Sequence, residues 1–336
     1  MTNDFPPRAG GIQSFVHAVT ARLPDAVVYA PRWQGVAEFD AAQPFEVVRH
    51  PTSLMLPTPA VARRAVGLLR EHGCDAVWFG AAAPLGLLAP TLRKAGAKRI
   101  VATTHGHEAG WAQLPVARQL LRKIASDVDV LTYLGDYTRG RLAGAVASSA
   151  KLQRLAPAVD AEHFRPGAGG GAVRRRLDLV GRRVVVCVSR LVPRKGQDVL
   201  IKAMPAIVRA APDATLLVVG DGPYRERLEK LVDEVGVRPA VRFTGGVPWA
   251  ELPAYFDAGD VFAMPCRTRR KGLDVEGLGI VYLEASAVAI PVVAGNSGGA
   301  PDAVLNGQTG FVVDGDDVDA VAGAVIGLLL DPDRAR

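Results

Sequence analysis

Cysteine is scarce. The 336-residue chain has three, Cys74, Cys187 and Cys266, far apart and odd in number, which excludes a complete disulfide framework and offers no zinc-ligand spacing. A reducing, cytoplasmic setting is the expectation. A long apolar run is also missing. The longest uncharged stretch, residues 76–92, is broken by Gly80, Pro84, Gly86 and Pro90 and is too short to span a bilayer. The opening residues lack the basic and apolar segments of a secretory signal. Membrane contact, if any, is expected to be peripheral.

What is present points to a large buried core: 49% of residues are apolar and 22% charged. One core stops growing near roughly 250–300 residues, so two domains are expected. The net charge of +6 favours anionic partners, and phosphate groups, nucleic acid and anionic lipid all satisfy that. Short β-branched runs alternate with helical patterns, the signature of parallel sheets with crossover helices. Strands are predicted at 26–30, 45–49, 76–80, 99–104 and 128–133, then at 183–189, 214–220, 240–244, 261–265, 291–294 and 310–313. Helices are predicted at 59–72, 114–126, 198–211, 224–235, 278–289 and 317–330. The alternation occurs twice, which predicts an α/β fold of two doubly wound, Rossmann-like domains over residues 1–158 and 159–330. The Pro- and Gly-rich stretch 160–172 reads as the linker between them. The turn chemistry around Gly10 and Gly11 begins without the strand that normally feeds it, so a first strand is expected to be missing. Residues 331–336 read as the truncated start of a C-terminal extension.

Four segments carry candidate chemistry. Gly10 and Gly11 precede a helical pattern, where close backbone approach and free N–H groups suit an anion, although a plain tight turn has the same composition. Arg190 and Lys195 follow the strand 183–189, at the edge where doubly wound domains bind ligands; a solvated basic loop is the alternative. Glu276 and Glu284 flank the glycine-rich start of a helix, with Glu284 among apolar neighbours where a carboxylate needs a partner, a sugar hydroxyl or an arginine. The amides of residues 277–279 would meet a phosphate. His105 ends a strand next to Gly106; His107, two residues on, points to the opposite side in an extended segment, so the two do not form a metal pair. The pairs Asp127/Asp129, Asp314/Asp316, Asp317/Asp319 and Asp331/Asp333 sit at strand starts, turns and helix N-termini and are read as capping residues, not metal ligands. No metal site is expected.

Together these features resemble retaining GT-B glycosyltransferases that use nucleotide sugars. The segments 2–13 (TNDFPPRAGGIQ), 104–111 (THGHEAGW), 264–284 (MPCRTRRKGLDVEGLGIVYLE) and 294–301 (AGNSGGAP) are similar to the GDP-mannose-dependent phosphatidylinositol monomannoside mannosyltransferases, of the family-four type. The resemblance implies two Rossmann-like domains facing each other across a cleft. It also implies GDP-mannose as donor substrate, no tightly bound cofactor, a phosphoinositide glycolipid acceptor and no nucleic-acid partner. Arg190 and Lys195 would then bind the diphosphate, with Gly10 and Gly11 opposite it. Glu276 would hold hexose hydroxyls, assisted by the backbone of Gly277, Leu278, Gly279 and Ile280, and Glu284 the ribose. Val247, in the turn after Gly245 and Gly246, would contact the base. His105 would lie beside the transferred sugar and shield its oxocarbenium-like centre. Arg270 and Lys271 depart from the small residues of the family loop, which bears on acceptor detail. A related transferase with another donor or a soluble acceptor, or a non-catalytic nucleotide-sugar-binding protein, are the alternatives.

Between residues 60 and 145 the chain has twelve basic and six acidic residues, a surplus equal to that of the whole chain. Within it, residues 113–126 combine Leu114, Leu120, Leu121 and Ile124 with Arg118, Arg122 and Lys123, a pattern that suits an anionic membrane surface, here the cytoplasmic face of the plasma membrane. A crossover helix with a solvated basic face has the same pattern.

Overall fold

The β-branched runs become strands paired in parallel, and those at the centre of the second unit's sheet are buried on both faces, as parallel sheets covered by helices require. The computed structural model describes residues 1–8, 10–23, 25–146 and 151–335. It divides into two units, Met1–Pro157 and Ala158–Arg336.

In the first unit, β1 (Val27–Pro31) pairs with β2 (Glu46–His50). A separate sheet has β3 (Ala76–Phe79), β4 (Arg99–Thr103), β5 (Val130–Tyr133) and β6 (Leu152–Arg154), in that order and all parallel. β6 was not predicted, because three residues with no apolar pattern give no strand signal. Between the two sheets lies the extended start of the chain. The Met1 nitrogen donates to Trp78 O at 2.7 Å, Gly80 N to Met1 O at 2.9 Å, and Thr2 N to Tyr29 O at 3.1 Å. Residues 1 and 2 thus stand where the expected first strand belongs, bonded to β1 on one side and to β3 on the other.

The second unit has one six-stranded sheet. Its strands are β7 (Arg183–Val188), β8 (Ala214–Val219), β9 (Val241–Gly245), β10 (Val261–Met264), β11 (Val292–Gly295) and β12 (Gly310–Val313), in the order β12-β11-β10-β7-β8-β9. All five pairings are parallel. Val184, Val185 and Val186 of β7 are fully buried, each contributing about 1.5–3 kcal/mol of apolar burial. The chain order reverses between β7 and β10, so the loops leaving those two strands diverge from one crevice, the switch point at which such sheets bind ligands.

One expectation is corrected. The stretch 160–172 is not a bare linker, because the division falls before it and its glycines belong to the second unit. The Asp257 carboxylate accepts from the N–H groups of Gly167, Gly169 and Gly170 at 2.9, 3.1 and 2.7 Å, holding the start of the helix Gly170–Arg176. A Cβ on Gly170 would stand 2.3 Å from Asp257 O. Close packing against the helix Leu252–Asp257, not flexibility, requires glycine there.

Candidate functional site

The loop after β7 turns through a 3-10 segment, Pro193–Lys195, into the helix Gln197–Ala210. Gly196 caps that helix with φ 76°, and a Cβ there would lie 1.9 Å from Pro265 O, so only glycine lets this loop lie against the end of β10. The consequence is a meeting of residues distant in sequence. Lys195 Nζ lies 2.7 Å from Glu276 Oε2, with both side chains buried, and Arg194 Nε lies 3.8 Å from the same oxygen. Arg194 also reaches Asp274 at 3.8 Å. Burial alone would push the Glu276 carboxyl up, but the charges of Lys195 and Arg194 outweigh it and hold the carboxyl below its ordinary value.

The backbone of Glu276 is fixed as firmly as its side chain. Its N–H donates to Ser297 Oγ at 3.3 Å and its carbonyl accepts from Gly299 N at 2.9 Å. A Cβ on Gly298 would stand 2.1 Å from Glu276 O, and one on Gly299 2.1 Å from Gly277 O. Hydrogen-bonding capacity remains inside the crevice. Gln197, fully buried, donates to Ser189 Oγ at 2.8 Å and to Arg190 O at 3.1 Å, while its Oε1 has no partner among the described residues. Arg190 is exposed and makes no ion pair with any described residue.

The helix Ile280–Ala287 starts at Gly279, whose φ is 79°. The Tyr282 hydroxyl donates to Met264 O at 2.8 Å, which ties this helix to the end of β10. Glu284, one turn in, is buried, and burial pushes its carboxyl up to about 7. No arginine or other described residue pairs with it. Gly277 and Ile280 are half-buried, and Leu278 and Gly279 are buried. Val247, half-buried, follows β9, two strands from β7 and about 10 Å across the sheet. Its turn is set by Gly245, with φ 77°.

His105, Gly10 and Gly11 belong to the first unit. His105 is buried at the end of β4, its Nε2 donates to Gly80 O at 2.5 Å, and its ring meets Phe15 edge-on at 5.3 Å. The Glu108 carboxylate accepts from its backbone N–H at 2.9 Å. Gly10 caps the helix Gly11–Thr20. The second unit therefore brings Lys195, Glu276 and the 277–280 backbone together, with Glu284 and Arg190 at the same sheet edge. Sequence reasoning missed Arg194, Ser297 and Gln197. The signal for Ser297 is the following glycine pair, which marks a close backbone approach.

In three of the aspartate pairs one carboxylate meets backbone N–H groups, while Asp127 pairs with Lys123. Asp129 accepts from Ile100 N at 2.6 Å, Asp314 from Asp316 N at 3.0 Å, and Asp317 from Asp319 N and Ala320 N at 2.9 and 3.0 Å. Among the described residues no cluster of His, Cys, Asp and Glu fits a metal ion. Nor is any helix among them long and apolar enough to cross a membrane.

Residues 173–336 match the family model for glycosyl transferases group 1, and residues 9–163 match that for glycosyltransferase family 4. The chain is 57% identical, over its full length and 90% of the relative, to a GDP-mannose-dependent alpha-(1-6)-phosphatidylinositol monomannoside mannosyltransferase of Mycolicibacterium smegmatis. It is 48% identical, over 99% of its length and 89% of the relative, to a GDP-mannose-dependent monoacylated alpha-(1-6)-phosphatidylinositol monomannoside mannosyltransferase of Corynebacterium glutamicum. Among solved structures it is similar to HepE of Anabaena in complex with UDP and glucose, with a TM-score of 0.82 and 19% identity over 99% of this chain and 90% of that one. Sucrose-phosphate synthase of Thermosynechococcus elongatus gives 0.81 and 21% over 100% and 90%. These likenesses bear out the GT-B fold class.

Proposed function

The chain belongs to the GDP-mannose-dependent phosphatidylinositol monomannoside mannosyltransferases, and from that membership we propose how its own residues carry out the transfer. The enzyme moves mannose from GDP-mannose to a phosphatidylinositol mannoside in glycolipid synthesis. One observation carries the site assignment: the buried Lys195–Glu276 pair at the β7/β10 switch point, with exposed Arg190 leaving the same strand.

In this reading Arg190 and Lys195 hold the donor diphosphate, and Glu276 accepts hydrogen bonds from mannose hydroxyls. The N–H groups of residues 277–280 complete the contact at the helix start. Glu284 takes the ribose hydroxyls, which supply the partner that its buried carboxyl lacks in the chain itself. The turn of Gly245, Gly246 and Val247 lies against the base. His105, oriented by Gly80 O, contacts the transferred mannose, and the amides of Gly10 and Gly11 serve the diphosphate.

The acceptor hydroxyl oxygen attacks the anomeric carbon on the face from which GDP departs, so configuration is retained. The bond from that carbon to the diphosphate oxygen breaks, and the acceptor proton passes to the departing diphosphate. The protein's contribution is electrostatic, because Arg190 and Lys195 stand where negative charge grows on the leaving group.

The acceptor side is read from charge. In the helix Pro115–Asp127, Leu121 and Ile124 are fully buried and serve the core. Arg118 donates to Gly144 O and Arg122 to Ala145 O. The apolar residues left for a lipid surface are Leu114 and Val116, 49% and 72% exposed, and the half-buried Leu120. Labelled GDP-mannose with defined lipid acceptors is expected to give a lipid product, and a soluble product or none would overturn the assignment. The protein is also expected to bind anionic vesicles reversibly and to be released by salt. Sedimentation that leaves it in the supernatant at every ionic strength would remove the membrane reading.

A further inference from the structure

Arg225 stands apart from the residues assigned so far. It opens the helix Arg225–Glu234 after β8, and Glu229, one turn on, accepts from its Nε at 2.9 Å. Such a pair on a helix surface is ordinary and worth only about 0.3–0.5 kcal/mol. Its direction is not ordinary. The side chain turns off the helix and runs across the end of β9, where the guanidinium carbon lies 5.7 Å from the centre of the Phe243 ring. Nη1 lies 3.4 Å from where a Cβ on Gly245 would stand. The turn it faces is fixed, because Gly220 N donates to Gly245 O at 2.8 Å. The loop bearing Arg225 is joined in turn to the loop bearing Arg190, since Tyr224 N donates to Leu191 O at 3.2 Å and Leu191 N to Asp221 O at 3.0 Å.

Glu229 occupies one edge of the guanidinium, and neither Nη group has an acceptor among the described residues. The side chain is 34% exposed and lies at the carboxyl edge of the sheet, so its open donors face the ligand side. A planar fork with two free donors matches two acceptors side by side.

We propose that Arg225 reads the donor's base, offering its Nη groups to the O6 and N7 acceptors of guanine while Glu229 holds the fork in place. This rests on the reading that the turn 245–247 lies against the base. Adenine presents a donor where guanine has O6, so one contact becomes a donor facing a donor, and uracil has no adjacent pair of acceptors on that edge. Selection is assigned to Arg225.

Titration calorimetry of the full chain with GDP, ADP and UDP tests this, with melting temperatures recorded for each variant. The unaltered protein is expected to prefer GDP. Arg225→Ala is expected to weaken GDP about tenfold while ADP and UDP change less than about twofold, the size of one lost paired contact. Arg225→Lys keeps the charge without the fork and is expected not to restore GDP binding; if Arg225→Ala does not fold, Arg225→Lys carries the same comparison. Glu229→Gln is expected to give an intermediate GDP loss. An unchanged GDP to ADP ratio in Arg225→Ala, or an equal loss for all three nucleotides, overturns the proposal. Equal binding of the three by the unaltered protein overturns the guanosine reading of the site itself, and this inference with it.

Discussion

Lys195→Ala is expected to lower mannosyl transfer about 10³-fold and to destabilise the second unit by about 3–5 kcal/mol. The two effects have different origins. On the proposed assignment, transfer falls because a cation that meets the diphosphate is gone, and the loss is felt most where charge develops on the leaving group. Stability falls because Glu276 remains, 8% exposed, with Arg194 at 3.8 Å as its nearest cation and burial no longer offset. Its carboxyl should then titrate higher than in the unaltered protein, since the largest influence on it, burial, raises it and Lys195 is the strongest influence opposing. The double variant Lys195→Met/Glu276→Gln separates the two losses. With the charge removed from both partners it should regain most of the melting temperature but none of the transfer. Recovery of transfer in the double variant, or unchanged turnover in Lys195→Ala, would refute the assignment of Lys195.

On the proposed ribose contact, Glu284 is expected to make the protein's stability and its donor affinity respond to pH in opposite directions. Its carboxyl is moved from 4.5 to about 7 by burial, so between those values the folded state holds a proton that the unfolded state has released. Stability therefore falls as pH rises across that interval, by about 3 kcal/mol in all at 1.36 kcal/mol per pH unit. Donor hydroxyls bind the ionised carboxylate better, so GDP-mannose affinity should rise as pH passes through about 7. Glu284→Gln, which cannot ionise, should melt higher than the unaltered protein at pH 8 and equally at pH 4.5. Its GDP-mannose affinity should be weaker and independent of Glu284 titration. Parallel melting curves for the two proteins across this range would exclude the burial account.

The strands and the charged residues that follow them were legible because a doubly wound sheet sends every strand-to-helix loop to one edge. Arg190 and Lys195 after β7, and Glu276 after β10, could be assigned to that edge from sequence alone. That Lys195 and Glu276 touch was not legible, since it depends on β10 being the neighbour of β7 and on Gly196 admitting Pro265 O. The glycines of 167–170 were misread because composition does not distinguish a flexible spacer from a backbone held against Asp257. The helix Pro115–Asp127 shows a related ambiguity. An amphipathic stripe looks the same whether it faces lipid or a core, and Leu121 and Ile124 face the core. Glu284 announced itself by its apolar neighbours, but the absence of an arginine partner needed the fold.

Ser297 and Gly299 hold Glu276 by its main chain, through its N–H and its carbonyl, with no part played by the carboxylate in either bond. Position 276 is thus a socket whose frame survives a change of occupant, provided the charge of Lys195 is matched. On the proposed contact of Glu276 with the hexose, Glu276→Asp is expected to alter hexose preference while leaving these two main-chain bonds in place, which competition among GDP-linked hexoses checks.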